Sequence, residues 1–448
     1  MSTNRSQWGS SVGFILSAVG AAIGLGTIWR FPYLAGMHGG GIFLFTYLVV
    51  CLVLGLTLMA AEMCLGRTTK KSTIGAFRAI TKNKAWRAVG MLNIMSCWLI
   101  TWFYYIIGGW VLFYVVKSLD GAIPFTPHVN PQFFQDIFHA FITNPIEPFI
   151  YCTLFTLTTL LIVMGGVKKG IEQFSKILLP LRLALMLVLI IRSVTLPGGW
   201  AGVEYFLIPD LSKLSMATLL EAMGLAFFTL SIATGIILTY GSYTTDKTNL
   251  INSAKWTALL TVFACFLAGL VVLPAVFAFG VNLSAGPSLI FIVMPAIFGH
   301  MPFGELFAIL FFVMLYFAAQ MSAVALLEVL ASFLIDELHL KRRHAVLLSV
   351  AAILPFCLPI SLSFGLWSGP DYQLFGKTLF DFLDYLTSCL MLPIGGILLS
   401  LFLGWVAWDA IQNNLSNQPT HPIWLAIIKN SMRFVVPILI FIILVQSN

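Results

Sequence analysis

The residues best suited to chemistry in this chain are three glycines and an arginine inside one long apolar run. Gly20, Gly24 and Gly26, followed by Arg30, lie within GAAIGLGTIWRFPY. Each glycine destabilises a helix interior by about 1 kcal/mol relative to alanine, so the helix is predicted to unwind here. In a membrane, freed backbone N–H and C=O groups must face a cavity or a polar ligand, because lipid offers them no partner. The run therefore predicts a binding site, with close helix packing through small residues as the alternative. The intramembrane charge of Arg30 favours the site.

A second weak helix is predicted over residues 224–243, GLAFFTLSIATGIILTYGSY. Ser231, Ala233, Thr234 and Gly235 interrupt its bulky apolar pattern. Serine and threonine alone are weak evidence, because in membrane helices they commonly bond back to the preceding turn. Broken helices at corresponding places in two halves are, however, typical of an inverted-repeat transporter whose site lies at mid-membrane.

The composition places these helices in a bilayer, since 59% of the 448 residues are hydrophobic and 9% are charged. Such a composition excludes an ordinary soluble domain. Apolar runs predict eleven transmembrane helices, near residues 11–36, 41–66, 88–116, 146–165, 172–195, 217–241, 254–280, 305–337, 343–362, 379–408 and 422–446. We call these spans 1 to 11. The predicted fold class is an all-α polytopic membrane protein with one transporter domain over 1–448. Its 5+5 inverted-repeat core, with broken helices 1 and 6, comprises 1–196 and 215–411, and the helix at 422–446 is peripheral.

The distribution of positive charge predicts the orientation. With the N-terminus in the cytoplasm, only Lys117, Arg192, Lys213 and Lys377 of the 24 lysines and arginines fall in external segments. This bias is typical of a chain in the cell's inner, cytoplasmic membrane with a cytoplasmic N-terminus and an external C-terminus. The net charge of +7 is then a consequence of topology, and no nucleic-acid partner is expected. The seven cysteines lie in apolar segments without metal-like pairing, so we expect packing residues.

Two connections are too apolar to be solvated linkers. They run from 119 to 145 and from 281 to 304. We predict that each contains a short external helix, which either covers a vestibule or packs against the bundle.

At this point the chain resembles the neurotransmitter:sodium symporter family, in its bacterial amino-acid branch. The resemblance rests on residues 8–41, Glu62 with Gly66 and Arg67, KKGIEQFSKILLP at 168–180, FFTLS and TYGSY in span 6, DELHLKRRHAV at 336–346, and DYLTS and LPIGG in span 10. It covers essentially the whole chain, apart from a twelfth helix that many members have. The resemblance implies alternating access and coupling of substrate uptake to sodium.

The prediction of the substrate class rests on Gly24. By the resemblance, carriers of biogenic amines have an aspartate at this position, whereas amino-acid carriers have glycine. An aspartate facing a substrate carboxylate would leave two unpaired anions in a dry pocket, so glycine favours an α-amino acid. The carboxylate would meet the N–H groups of Leu25 and Gly26, at a half-helix N-terminus, and the hydroxyl of Tyr104.

The remaining substrate contacts are also implied by the resemblance. The ammonium would meet carbonyls near Ala22 and Phe228 and the hydroxyls of Thr229 or Ser231. The side-chain pocket would comprise Ile100, Tyr104, Ile107, Phe228, Ser231, Thr234, Ser322 and Leu326. These residues are uncharged, which favours a neutral, hydrophobic amino acid. Thr234 stands where the bacterial leucine carrier has a phenylalanine, and the extra volume would admit an aromatic side chain.

Two charged pairs match the family's gates. Arg30 and Asp384 match the external gate, and Arg5 and Asp336 match the internal one. Trp8 and Tyr243 are neighbours of the internal pair. An exposed ion pair contributes only about 0–1 kcal/mol, which is small enough to be broken and remade in each cycle.

The predicted sodium sites depart from the family pattern. The first site would use the Ala22 carbonyl, the hydroxyls of Thr27 and Thr229, and the substrate carboxylate; its span-7 position falls on Leu260, with Thr261 adjacent. The second would use the carbonyls of Gly20, Ile23 and Ala318 and the hydroxyl of Ser322. Two amide oxygens are missing from the first site. Met321 occupies the place of a second-site oxygen ligand, and a thioether is a poor ligand for a hard cation.

These departures predict one Na⁺ ion, bound at the second site, with the first site weak or empty. Arg182 is expected to extend along its own stem toward the cytoplasm. The alternative is that Arg182 replaces sodium as a fixed cation, as a lysine does in some sodium-independent carriers of similar fold.

The predicted function is sodium-coupled symport of a neutral, hydrophobic or aromatic L-amino acid by alternating access in a lipid bilayer. The alternatives are sodium-independent or proton-coupled transport, and a non-transporting amino-acid sensor. A channel is disfavoured by gates on both sides. An enzyme is disfavoured because the sequence has no nucleophile–base set or metal cluster. The oligomeric state stays open.

Overall fold

The computed structural model describes residues 5–125, 131–280, 289–416 and 422–446 of the chain. Within these ranges, nine helices are long and apolar enough to cross a membrane, and one bent pair makes a tenth span. The nine are Gly41–Thr69, Lys84–Leu119, Glu147–Met164, Val167–Val194, Leu250–Phe279, Gly304–Leu338, Arg342–Leu362, Leu379–Val406 and Ile423–Ile442. They correspond to predicted spans 2–5 and 7–11, and all their ends lie within five residues of the predicted bounds. The all-α polytopic fold is therefore confirmed.

Span 1 is the bent pair, and its predicted unwinding is confirmed. Ser11–Ala22 and Leu25–Met37 meet at 55°. The break consists of Ile23 and Gly24, and Gly24 has an extended conformation with ψ −162°. A Cβ atom on Gly24 would lie 2.6 Å from Ser322 Oγ and 3.0 Å from the Tyr104 hydroxyl. Only glycine therefore lets the break approach spans 3 and 8 this closely.

Span 6 is broken as well, into Met216–Thr229 and Ile236–Ser242. Neither half is long enough to cross a membrane alone. Between them Ser231, Ala233 and Gly235 have φ values of 54°, 60° and 79°, in the left-handed region that non-glycine residues rarely adopt. The Glu62 carboxylate of span 2 accepts a hydrogen bond from the Ala233 N–H at 2.9 Å, and Glu62 is only 1% exposed. This buried acceptor holds the break in place.

The two broken spans lie inside the bundle. The first half of span 1 packs against spans 5, 7 and 8, and the second half of span 6 packs against span 2. Span 3 makes its largest interface with span 8. Short helices at Pro131–Thr143 and Leu289–Gly299 confirm the two helices predicted in the apolar connections, and they pack against each other. Residues 126–130 and 281–288 of those connections lie outside the described residues.

Candidate substrate and ion site

The two helix breaks enclose a central pocket of about 50 Å³. The structure brings nearly all the predicted substrate residues together around it: Ala22, Gly24, Leu25, Gly26, Ile100, Tyr104, Phe228, Thr229, Ser231, Thr234, Ser322 and Leu326. Ile107 is the exception, because it lines a neighbouring cavity instead. The side chains around the central pocket are uncharged.

One end of the central pocket is suited to an anion. The helix Leu25–Met37 begins there, and its first N–H groups have no partner within the helix. The Tyr104 hydroxyl lies 3.5 Å from the Leu25 nitrogen and is almost fully buried. The Ser322 hydroxyl of span 8 donates to the Ala21 carbonyl at 2.9 Å, just before the break in span 1. A carboxylate placed here would meet amide donors, a phenol and the positive end of a helix dipole.

A larger cavity of about 340 Å³, which we call the vestibule, adjoins the central pocket. Arg30, Asp384 and Ile107 line it, and Phe228 is one of the residues that line both cavities. The Arg30 guanidinium lies 5.7 Å from the centre of the Phe228 ring, and Asp384 accepts a hydrogen bond from Ser388 at 2.9 Å. Among the described residues, Arg30 and Asp384 are in no ion pair with each other. The predicted gate residues at this end therefore do not form their ion pair.

The predicted gate residues at the opposite end do form their ion pair. Arg5 forms an ion pair with Asp336 at 2.6 Å and donates to the Ser242 hydroxyl at 3.0 Å. Its guanidinium also lies 4.9 Å from the centre of the Tyr243 ring. Trp8 donates from its indole nitrogen to the Tyr240 carbonyl at 2.9 Å. The N-terminal segment is thus fastened across the end of spans 6 and 8.

A second ion pair supports the joined gate, and sequence reasoning missed it. Glu328 is fully buried and pairs with Arg342. The Tyr243 hydroxyl donates to Glu328 at 2.7 Å, which links this pair to Arg5 through one aromatic ring. A glutamate inside the apolar run of span 8 was the sequence signal, because an intramembrane charge requires a partner.

The first predicted sodium site contains more hydroxyl groups than the sequence suggested. The Thr27 hydroxyl is buried without a hydrogen-bond partner among the described residues. The Thr229 hydroxyl lies 2.7 Å from the Tyr47 hydroxyl, which in turn accepts a hydrogen bond from Cys265 at 3.3 Å. Tyr47, a buried phenol in span 2, was missed by sequence reasoning.

The span-7 residue at this site differs from the prediction. Leu260 packs against the apolar cluster that contains Ile23 and Met321. Thr261 is fully buried and stands one helical turn before Cys265, on the same face of the helix. Because Cys265 contacts Tyr47 beside the first site, the structure favours Thr261 over Leu260.

The second predicted sodium site contains an arginine. Arg182 is fully buried, and its Nη1 donates to the Ile23 carbonyl at 2.5 Å. The expectation that Arg182 extends toward the cytoplasm is therefore wrong. The Ile23 carbonyl, predicted as a sodium ligand, instead accepts a hydrogen bond from the Arg182 guanidinium. Met321 packs against Gly20, where a Cβ atom would lie 2.9 Å from the sulfur.

Comparison with known proteins agrees with this geometry. The sequence profile described as "Sodium:neurotransmitter symporter family" matches residues 5–146 and 133–448. An "Uncharacterized sodium-dependent transporter YhdH" of Bacillus subtilis (strain 168) is 37% identical over 397 residues, covering 89% of this chain and 87% of the relative. An "Uncharacterized sodium-dependent transporter" of Haemophilus influenzae is 31% identical over 458 residues, covering all of both chains. The solved structure of MhsT in complex with L-phenylalanine is similar with a TM-score of 0.90 and 37% identity, over 99% of this chain and 100% of that chain. This chain belongs to the sodium:neurotransmitter symporter family.

Proposed function

We propose that this protein is a secondary active transporter that carries a neutral, hydrophobic or aromatic L-amino acid together with sodium by alternating access. The observation that carries the proposal is the central pocket between two broken helices, which adjoins the vestibule at the Arg30 end. At the opposite end, Arg5 and Asp336 form an ion pair. A site reachable from one side at a time is the requirement for coupled transport. Relatives described as sodium-dependent transporters support the coupling ion.

The chemistry of the pocket supports the substrate class. An amino acid's carboxylate would meet the Leu25 N–H and the Tyr104 hydroxyl, while its ammonium would face the span-6 break near Phe228 and Ser231. The uncharged pocket lining leaves an acidic or basic substrate side chain without a partner. The similar transporter MhsT has been solved with L-phenylalanine, which supports an aromatic substrate here.

We further propose the orientation and the repeat. The Arg5 end faces the cytoplasm and the Arg30 end faces outward, which follows the distribution of lysine and arginine. Residues 1–196 and 215–411 form the two inverted halves of a single domain, and their corresponding broken helices in spans 1 and 6 support this assignment. The C-terminus is then external.

Uptake by the purified protein in proteoliposomes tests the proposal. With an inward sodium gradient, we expect L-phenylalanine and L-leucine to accumulate, and L-glutamate and L-lysine not to. Replacing external sodium by choline should stop accumulation. A sensor would bind L-phenylalanine without accumulating it, and a channel would equilibrate it without sodium. Either result would contradict transport.

Replacing Thr234 by phenylalanine is expected to exclude large substrates. Thr234 lines the central pocket and is 5% exposed, so a larger side chain must occupy pocket volume. We expect the affinity for L-phenylalanine to fall about tenfold or more while that for L-alanine changes little, because one extra ring removes the space for another. Competition against labelled L-leucine measures both affinities. The matched control is Thr234→Val, which keeps the volume and removes the hydroxyl. An unchanged ratio of affinities in Thr234→Phe would show that Thr234 does not limit substrate size.

A further inference from the structure

We propose that the guanidinium of Arg182 is a permanent cation at the break of span 1, which takes the place of the second sodium ion and leaves sodium binding to the first site alone. This inference rests on the proposed function, because it concerns the ions that accompany the amino acid. It reverses the assignment expected from the sequence, in which the second site binds the single sodium ion.

The position of Arg182 is the first argument. Arg182 lies in span 5 and is fully buried, and its Nη1 donates to the carbonyl of Ile23 at 2.5 Å. Ile23 follows the last residue of the helix Ser11–Ala22. The terminal carbonyls of a helix are the negative end of its dipole, and they attract a cation whether it is a metal ion or a side chain. Arg182 therefore occupies the electrostatic position that a sodium ion at this break would need.

The surroundings of Arg182 are the second argument. Val19, Ile23, Leu178, Leu179, Ala264 and Met321 form a buried apolar cluster around this junction of spans 1, 5, 7 and 8. An arginine in such a place cannot lose its proton, since its guanidinium stays charged in proteins. Among the described residues, no carboxylate forms an ion pair with it. A buried charge without a counter-ion is strongly unfavourable, so a bound ligand that carries a negative charge would stabilise the guanidinium.

Two unsatisfied donors indicate where that charge belongs. Nε and Nη2 of Arg182 are buried and have no hydrogen-bond partner in the described parts of the chain. Arg182 donates to the carbonyl of Ile23, two residues before Leu25, whose N–H contacts the Tyr104 hydroxyl at the anion end of the central pocket. The carboxylate of a bound amino acid would therefore reduce the cost of the buried guanidinium, and the guanidinium would attract the carboxylate. The attraction acts across the break and requires no sodium ion at the second site.

The remaining groups at the second site also disfavour a metal ion. The Ile23 carbonyl accepts a hydrogen bond from Arg182, and the Met321 sulfur, a poor ligand for a hard cation, packs against Gly20. A sodium ion among these groups would be repelled by the fixed charge beside it. The first site keeps the hydroxyls of Thr27 and Thr229, and a substrate carboxylate would complete it. Sodium and substrate are thus expected to bind there together.

Equilibrium binding by the full chain in detergent, with labelled L-phenylalanine as the probe, tests Arg182. The sodium titration of binding should give a Hill coefficient of about one in the wild type, since one site remains. Arg182→Met should weaken L-phenylalanine binding about tenfold or more, the size typical of a lost charged interaction, and Arg182→Lys should restore part of it. The matched control is Arg192→Met in the same helix, which should bind as the wild type does. A sodium Hill coefficient near two in the wild type, or unchanged binding by Arg182→Met, would overturn the proposal.

Melting temperature without amino acid gives a second measurement that does not depend on transport. With the second site taken by Arg182 and the first lacking its carboxylate, sodium, potassium and choline chloride should give the wild type the same melting temperature. A sodium-specific rise would overturn the role of Arg182, even if Arg182→Met fails to fold. If instead the wild type binds no amino acid with any cation, the proposed function fails, while equal melting temperatures would still support a filled second site.

Discussion

Replacing Gly24 by aspartate is expected to weaken amino-acid binding about a hundredfold or more. A Cβ atom at this position would lie 2.6 Å from Ser322 Oγ and 3.0 Å from the Tyr104 hydroxyl, so the break must move to admit any side chain. The new carboxylate would also stand beside the substrate carboxylate in a pocket with uncharged lining. Two like charges in a dry site cost several kcal/mol, and 2.7 kcal/mol already corresponds to about a hundredfold. Equilibrium binding of labelled L-phenylalanine measures the change.

Two further variants separate the steric effect of this substitution from the effect of charge. Gly24→Ala adds only the Cβ atom, and we expect a smaller loss than for aspartate. Gly224→Ala is the matched control in span 6, because no atom of the described residues lies within 4 Å of the position its Cβ would take. Competition by 2-phenylethylamine, which lacks a carboxylate, should improve in Gly24→Asp relative to L-phenylalanine. Wild-type affinity for L-phenylalanine in Gly24→Asp would show that the carboxylate binds elsewhere.

Removing the Asp336 carboxylate is expected to open the Arg5 end and reduce uptake about tenfold or more. Asp336 pairs with Arg5 at 2.6 Å and accepts the Ser72 N–H at 2.5 Å, so Asp336→Ala leaves two donors without a partner. The side chains of this pair are only 13% and 12% exposed, so its loss costs more than the 0–1 kcal/mol typical of a surface pair. Uptake measures the effect on transport. Labelling of a cysteine introduced at Ser17, which is buried in the first half of span 1, measures the opening.

The adjacent residue provides the control for Asp336. Glu337 pairs with Arg78, whose side chain is 50% exposed, and this pair lies outside the network around Tyr243. Glu337→Ala should therefore leave both uptake and labelling close to the wild type. Labelling rates must be compared with those of the unmodified chain, which has its own cysteines. If Asp336→Ala and Glu337→Ala label at the same rate, the Arg5 pair does not control access.

The helix breaks could be predicted because their causes are local. The glycines of span 1 and the small residues Ser231 to Gly235 lower the cost of leaving helical geometry, and both breaks fall where those residues stand. The boundaries of the spans follow from hydropathy for the same reason. The sequence could not show what holds a break once it has formed. The carboxylate that accepts a hydrogen bond from the Ala233 N–H belongs to Glu62, 171 residues earlier in the chain.

The ion sites were harder to predict, because they depend on the rotation of each helix about its axis. Leu260 and Thr261 differ by about 100° around span 7, and only packing decides which of them faces Tyr47. Arg182 posed the same problem. Its long stem could have reached the membrane surface, but it lies on the face of span 5 that contacts span 1, and its head meets the Ile23 carbonyl. Long-range polar contacts of this kind leave no periodic trace in the sequence.

A guanidinium fixed in the break of span 1 has a consequence for how far this carrier can concentrate its cargo. Each sodium ion that enters with a substrate draws on the membrane voltage, which supplies about 2.3 kcal/mol per elementary charge at 100 mV. That energy corresponds to about a fiftyfold steeper gradient of amino acid across the membrane. The charge of an arginine side chain stays on the protein and returns with it in every cycle. It therefore takes no energy from the membrane voltage. If Arg182 replaces the second sodium ion as proposed, the protein needs no second ion, and the membrane voltage can drive less accumulation of substrate.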